Sequence, residues 1–204
     1  MCNSSCLDFA KSHLKAEDVK GKKIIEVGSR DVNGSVRYEI AHFEPLSYVG
    51  VDIEKGDGVD EVCNVYDLVE HFGSESFDLV ISTEMIEHVR DWRGAISQLK
   101  RILKPDGILL VTTRSKGFPY HDYPSDFWRY EIEDMKVLFS DMQIEGLESD
   151  KSDPGVLVKA RKPVSFAEKN LDDYALYSMI TSKRSKDVGS LDMLIFKLKK
   201  IFAE

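Results

Sequence analysis

Two kinds of side chain in this sequence are placed where they could do chemistry. His121-Asp122 pairs an imidazole with a carboxylate, a combination that can move a proton; a structural histidine reads the same way. The pair lies in an aromatic, irregular stretch from Phe118 to Tyr130 that carries Pro119 and Pro124. Tyr123, Trp128 and Tyr130 could wall a pocket there, or Phe127 and Trp128 could pin the following helix, and Arg129 could pair with Asp126 or hold an anionic group. Two further carboxylates each close a short apolar run, Glu26 in Ile24-Ile25-Glu26-Val27-Gly28-Ser29 and Asp52 in Tyr48-Val49-Gly50-Val51-Asp52. They stand 26 positions apart, room for a strand, a crossover helix and a second strand. At the carboxyl edge of a parallel sheet Asp52 would face a ribose diol, which points to a nucleoside-containing cofactor. In isolation Asp52 could equally be a turn or helix-cap residue.

The elements that would hold these groups can be traced along the chain. Strands are predicted over 23–27, 47–51, 62–64, 77–82 and 108–113, and a further pair over 143–149 and 155–161 joined by Ser152-Asp153-Pro154-Gly155. Helices are expected over 2–16, 32–42, 66–72, from Trp92 to Leu103, and over 131–139. Strands alternating with helices predict an α/β, doubly wound, mostly parallel seven-stranded sheet that ends in an antiparallel hairpin. Lys104-Pro105-Asp106-Gly107 reads as a turn before the fifth strand. Residues 1–163 would form this domain with its N-terminal helix, and 164–204 a helical C-terminal extension.

The loop Gly28-Ser29-Arg30-Asp31-Val32-Asn33-Gly34 places Arg30 and Asn33 where a pyrophosphate-binding loop requires glycine, so a dinucleotide fits it badly. The four segments Glu26–Ser29, Tyr48–Asp52, Phe77–Val89 and Leu103–Thr112, in this order and spacing, resemble the class I S-adenosylmethionine-dependent methyltransferases, in particular the type 11 branch. The resemblance covers roughly residues 20 to 163. It implies the Rossmann-like methyltransferase fold, S-adenosylmethionine as cofactor, and a set of roles. Glu26, Gly28 and Ser29 would lie by the amino-acid end of the cofactor. Asp52 would accept from both ribose hydroxyls and Ile53 would pack on the adenine. Asn64 and Val65 would border the adenine edge, and Thr83 and Glu84 the sulfonium region. Two positions depart from the pattern: Arg30 and Asp31 replace small residues, and Asn64 stands where aspartate is common.

On the acceptor side, His121 and Asp122 are the candidate catalytic residues. Glu87-His88 could line the pocket or simply start a helix. Cys2 and Cys6 could share a face of a short helix, but no second ligand pair with zinc-site spacing occurs, so no metal is expected. The Asn-Pro-Pro-Tyr signature of base and amide methylation is missing, which favours in-line methyl transfer to a small-molecule or glycan-type acceptor over nucleic acid. The rivals are an NAD-dependent oxidoreductase and a non-catalytic cofactor-binding module.

Composition narrows the setting. The chain has 204 residues, 42% hydrophobic and 31% charged, with a formal net charge of −8 and no basic stripe in its body. Three cysteines do not make a disulfide framework. The start of the chain lacks the pattern of a signal peptide, and a cytoplasmic location is expected. Residues 183–204 are locally basic, with six Lys and Arg against three Asp and Glu. Leu191, Leu194, Ile195, Leu198, Ile201 and Phe202 fall at helical spacing. Docking on the domain, or on a second copy in a homodimer, is the expectation for this tail, with membrane contact the alternative.

Overall fold

The computed structural model describes residues 3–121 and 125–201. Its central sheet has seven strands: β1 (Lys23–Val27), β2 (Ser47–Asp52), β3 (Glu61–Val62), β4 (Phe77–Thr83), β5 (Leu103–Arg114), β7 (Gln143–Ser149) and β8 (Gly155–Arg161). Their order across the sheet is β3-β2-β1-β4-β5-β8-β7. Strands β1 to β5 pair in parallel, and the β7–β8 hairpin joins β5 antiparallel. The seven-stranded, mostly parallel sheet with a terminal hairpin is the predicted one.

Alternation along the buried strands explains why both faces are covered. Ile25, Val80, Leu109 and Val111 point to one face; it is packed by α4 (Leu68–Phe72), α5 (Trp92–Ile102) and α6 (Ile132–Leu138). Their neighbours Ile24, Leu79, Ile81, Ile108 and Leu110 point to the other, against α1 (Ser4–His13), α2 (Ala16–Val19) and α3 (Val36–Ile40). Side chains fix the helix starts. Asn3 accepts from the Cys6 N–H at 2.9 Å, Ser35 from Arg37 N–H at 3.1 Å, and Asp91 from Gly94 N–H at 3.1 Å. The Lys104–Gly107 turn appears as an irregularity inside β5, with Asp106 at φ 63°.

Two sequence expectations are corrected. The stretch around Trp128 and the segment after Pro163 are not simply irregular and helical. Strand β6 (Trp128–Arg129) pairs with β9 (Leu176–Ser178), which pairs with β10 (Lys183–Ser185), in a second, antiparallel sheet. Leu176, Ile180 and Val188 join the same core as β4 and α5. Arg93 fastens the segment by donating to the carbonyls of Leu171 (2.8 Å) and Lys186 (2.8 Å). Strands of two or three residues carry too little periodicity to be read from sequence.

Helix α7 (Ser190–Ile201) forms as expected but turns a different face inward. Met193 and Phe196 pack against the core, with Phe196 5.1 Å from the Tyr120 ring. Leu191, Leu194, Ile195 and Leu198 are exposed. No helix among the described residues is long and apolar enough to cross a membrane.

A tight crossing holds the loop after β2. A Cβ on Gly50 would collide with the carbonyl oxygen of Gly58 and lie 2.7 Å from Ser29 Oγ. The same loop is drawn onto Gly50 by Asp60, which accepts from Gly50 N–H at 2.7 Å and pairs with Arg37. A backbone oxygen held in this way cannot step aside. Gly50→Ala is therefore expected to lower unfolding stability by about 3 kcal/mol. Urea denaturation reads this as a lower midpoint, and a midpoint equal to the parent's would refute the crossing.

Candidate active site

A cleft of about 370 Å³ opens at the carboxyl ends of β1, β2 and β4, where open α/β sheets bind their ligands. Its floor is Gly28, at φ 80°. A Cβ there would sit 2.6 Å from Met85 Cγ and 2.7 Å from Met85 Cβ, so only glycine keeps the loop open with Met85 beside it. Asp52 closes the neighbouring strand β2 and is half-buried. Its Oδ2 accepts from Arg30 N–H at 3.3 Å and its Oδ1 from Glu54 N–H at 3.3 Å. These two long hydrogen bonds aim the carboxylate and leave each oxygen with further accepting capacity. Beside it Ile53 is half exposed, a large apolar side chain on the rim of the cleft.

The far wall comes from the turn after β3. Asn64 accepts from Tyr66 N–H at 3.1 Å through its Oδ1 and lines the cleft. Val65 is buried beneath it. Phe127, from the stretch before β6, lines the cleft together with His88, Val89 and Ser125.

Six of the expected cofactor residues, Gly28, Asp52, Ile53, Asn64, Val65 and Glu84, line this one cleft. Three lie behind it. Glu26 is buried under the loop, where its Oε2 accepts from Tyr48 (2.8 Å) and Ser35 (2.9 Å). Burial raises its carboxyl above the usual range despite those two bonds. Its task in the structure is to anchor β1, β2 and the start of α3 together. Ser29 is buried against the same crossing, and Thr83 is buried where β4 pairs with β5. Glu84 lines the cleft with its backbone in the left-handed region, φ 52°, a conformation few non-glycine residues adopt. Its carboxylate turns away to pair with Arg114 and to accept from Thr112 at 3.1 Å. Burial, and then the neighbouring Glu87, push that carboxyl well above its ordinary range.

Among the acceptor-side residues, His121 is part-buried with its Nδ1 2.9 Å from Asp126 Oδ2, and its ring stands edge-on to His88 with centroids 4.7 Å apart. Asp122 and Tyr123 lie outside the described residues. Trp128 and Tyr130 are core residues rather than pocket wall: Trp128 Nε1 donates to the carbonyls of Val89 and Arg90, and Tyr130 donates to Ile86. Arg30, which stands where a small residue was expected, is paired with Glu54 at 2.9 Å. Among the cleft-lining residues, sequence reasoning missed Met85, Tyr66 and Glu54, which are chain neighbours of residues it did select, and also Arg90 and Ser125, which are not.

This arrangement is shared. A family model described as a methyltransferase domain matches residues 7–147, most of the chain. The chain belongs to this family. As a methyltransferase-domain protein of the class I, S-adenosylmethionine-dependent kind, it meets the expectation of both fold and family. The curated relatives it resembles include the ubiquinone biosynthesis O-methyltransferase of Actinobacillus pleuropneumoniae, 28% identical over 130 residues, or 55% of this chain and 53% of that one. The chain thus spans about half the length of that relative. Among solved structures, an S-adenosylmethionine-dependent methyltransferase from Mesorhizobium loti aligns with a TM-score of 0.59 at 17% identity, covering 78% of this chain and 99% of that one. The 1,6-didemethyltoxoflavin-N1-methyltransferase of Burkholderia thailandensis, solved with bound S-adenosylhomocysteine, aligns with a TM-score of 0.62 at 12% identity, covering 79% and 80%.

Proposed function

We propose that this protein binds S-adenosylmethionine in the cleft and transfers its methyl group to an oxygen of a small-molecule acceptor. One observation carries the reading: a carboxylate with accepting capacity to spare, Asp52, stands beside a glycine-floored loop in a mostly apolar cleft at the sheet's carboxyl edge. The donor, when bound, supplies a methyl group already activated by a positive sulfur.

The chain's own residues then have simple work. Asp52 accepts from the two ribose hydroxyls. Gly28 lets the loop lie against the amino-acid end, with Met85 packed beside it. Ile53 and Val65 hold the adenine, and the Asn64 amide donates to its edge. Phe127 and Val89 exclude water from the acceptor end, which aligns the reactants and keeps competing nucleophiles out. Because Glu84 is tied to Arg114 and Thr112, its carboxyl is held within the wall of the cleft. The named activity of the curated relatives, O-methylation in ubiquinone biosynthesis, favours an oxygen acceptor on a small molecule over a glycan.

Calorimetry with S-adenosylmethionine, S-adenosylhomocysteine and NAD tests the cofactor directly. The expected result is micromolar binding of the first two and none of NAD. Tight NAD binding without the other two would move the protein to the oxidoreductases. Turnover with radiolabelled methyl donor is expected on catechols and phenols. Transfer confined to RNA would overturn the acceptor class, and binding without any transfer would leave a cofactor-binding module.

A further inference from the structure

Behind the end of the cleft lined by His88, three side chains bring possible ligand atoms close together. Glu87 is fully buried. Its Oε2 accepts from Thr113 at 2.8 Å, while its Oε1, equally shielded from solvent, has no hydrogen-bond partner among the described residues. A buried carboxylate oxygen left unpaired is costly. The nearest candidate is His88, whose Nε2 stands 4.0 Å from that oxygen, too far for a hydrogen bond. Nor is that nitrogen placed to donate. His88 Nδ1 lies 2.7 Å from the carbonyl oxygen of Ser125. A carbonyl only accepts, so Nδ1 carries the ring proton and the neutral imidazole keeps a free electron pair on Nε2.

The third group is His121. One ligand atom from each of Glu87, His88 and His121 falls within 4.8 Å of the others. Asp126, itself locked by Arg129, sits beside the His121 ring and orients it. A carboxylate set behind an imidazole in this way is the usual outer partner of a metal-binding histidine. Ligands about 2.1 Å from a tetrahedral ion lie about 3.4 Å apart, so small side-chain rotations would close the group around one ion.

We propose that Glu87, His88 and His121 bind a divalent transition-metal ion, zinc being the best match to two imidazoles and a carboxylate. Three protein ligands leave a coordination position open. His88 lines the cleft, so an ion held there would adjoin the space open to an acceptor. Its role rests on the methyl-transfer reading above. An acceptor hydroxyl, or a vicinal pair of them, would ligate the ion and lose its proton to solvent more easily, as metal-bound water does. The freed oxygen pair forms the new O–C bond as the S–C bond breaks and the sulfur becomes a neutral thioether. No oxidant or reductant is needed. The proposal also removes the need for a general base among side chains already committed to other bonds.

The test uses the full, tag-free chain stripped with a chelator and titrated with Co2+, whose visible absorption reports coordination, with Zn2+ as competitor. One equivalent of Co2+ is expected, displaced by Zn2+. His88→Ala and His121→Ala should each weaken binding at least about tenfold, with circular dichroism unchanged for both and S-adenosylmethionine affinity unchanged for His121→Ala, whose side chain is not among those lining the cleft. These two part-exposed histidines are the test variants because Glu87→Gln, fully buried, could compromise folding. A catechol added to the Co2+ form should shift its spectrum. No stoichiometric binding of either ion below about millimolar would overturn the site, as would variants that bind like the parent. An unshifted spectrum would overturn the acceptor's coordination. Metal binding without any S-adenosylmethionine binding would instead sink the methyl-transfer reading and leave the ion site standing.

Discussion

Alanine at position 52 is expected to weaken S-adenosylmethionine binding by about a hundredfold or more, with little change in melting temperature. The two halves of this expectation have separate causes. Asp52 contributes little to the fold: it is half-buried, and its hydrogen bonds to the Arg30 and Glu54 N–H groups, both 3.3 Å, are at the weak end of the range. The loss of two long bonds at an accessible site falls in the sub-kcal range of surface substitutions. Toward the cofactor the same carboxylate would accept from two hydroxyls. Hydrogen bonds to a charged group contribute about 1.5–3 kcal/mol each, and about 1.4 kcal/mol is tenfold in affinity. Two bonds at the low end already give about a hundredfold. Asp52→Asn keeps one accepting oxygen of the two and should fall between, near tenfold. Titration calorimetry on the two variants measures both steps, and alanine binding as tightly as the parent would remove the ribose contact on which the cofactor assignment depends.

The readable part of this molecule is the part whose burial is imposed by the chain's own runs. Ile24-Ile25, Leu79-Val80-Ile81 and Leu109-Leu110-Val111 are apolar on consecutive positions because both faces of their strands are covered. Gly28 and Asp52 stand out because each ends such a run, where a ligand edge must be. Glu26 looks identical in sequence and is not at the edge. What removes it from the cleft is a long-range event, the arrival of Tyr48 and Ser35 at its carboxylate. The small sheet of β6, β9 and β10 escaped for a different reason. Its strands are two or three residues long, and Lys183-Arg184-Ser185 has no apolar face to betray it. In α7 the helical spacing of leucines was legible but the direction of packing was not. Met193 and Phe196 go inward because Tyr120 lies there, which no local pattern encodes. The Glu87, His88 and His121 group is invisible in the same way: its members come from two separate loops, and only the sheet brings them together.

The stretch that carries His121 owes its shape to one buried ion pair, and breaking that pair should cost the protein much of its stability. Asp126 and Arg129 are both fully buried. They meet through two parallel bonds, Arg129 Nη1 to Asp126 Oδ1 at 2.5 Å and Nη2 to Oδ2 at 2.6 Å. Arg129 also donates to the carbonyls of Pro119 (2.9 Å) and Trp128 (2.8 Å), and Asp126 accepts the His121 N–H at 2.9 Å. Asp126→Asn keeps the volume but turns an amide donor toward a guanidinium that can only donate. The arginine charge is then buried without compensation, a loss of about 3–5 kcal/mol, or about 6–20 °C in melting temperature for a chain of this size. The pH dependence identifies the cause. Burial by itself would raise the Asp126 carboxyl, but the bonds from Arg129 and His121 outweigh it and hold the group at about 2. With the folded value depressed, the stabilisation is complete above the ordinary carboxylate value of 3.8 and is lost as the pH falls through about 2. The stability gap between parent and variant should therefore be level from pH 8 to pH 5 and shrink below pH 4 in urea titrations. A gap that stays constant down to pH 2.5 would mean that the loss comes from altered packing, not from the stranded charge.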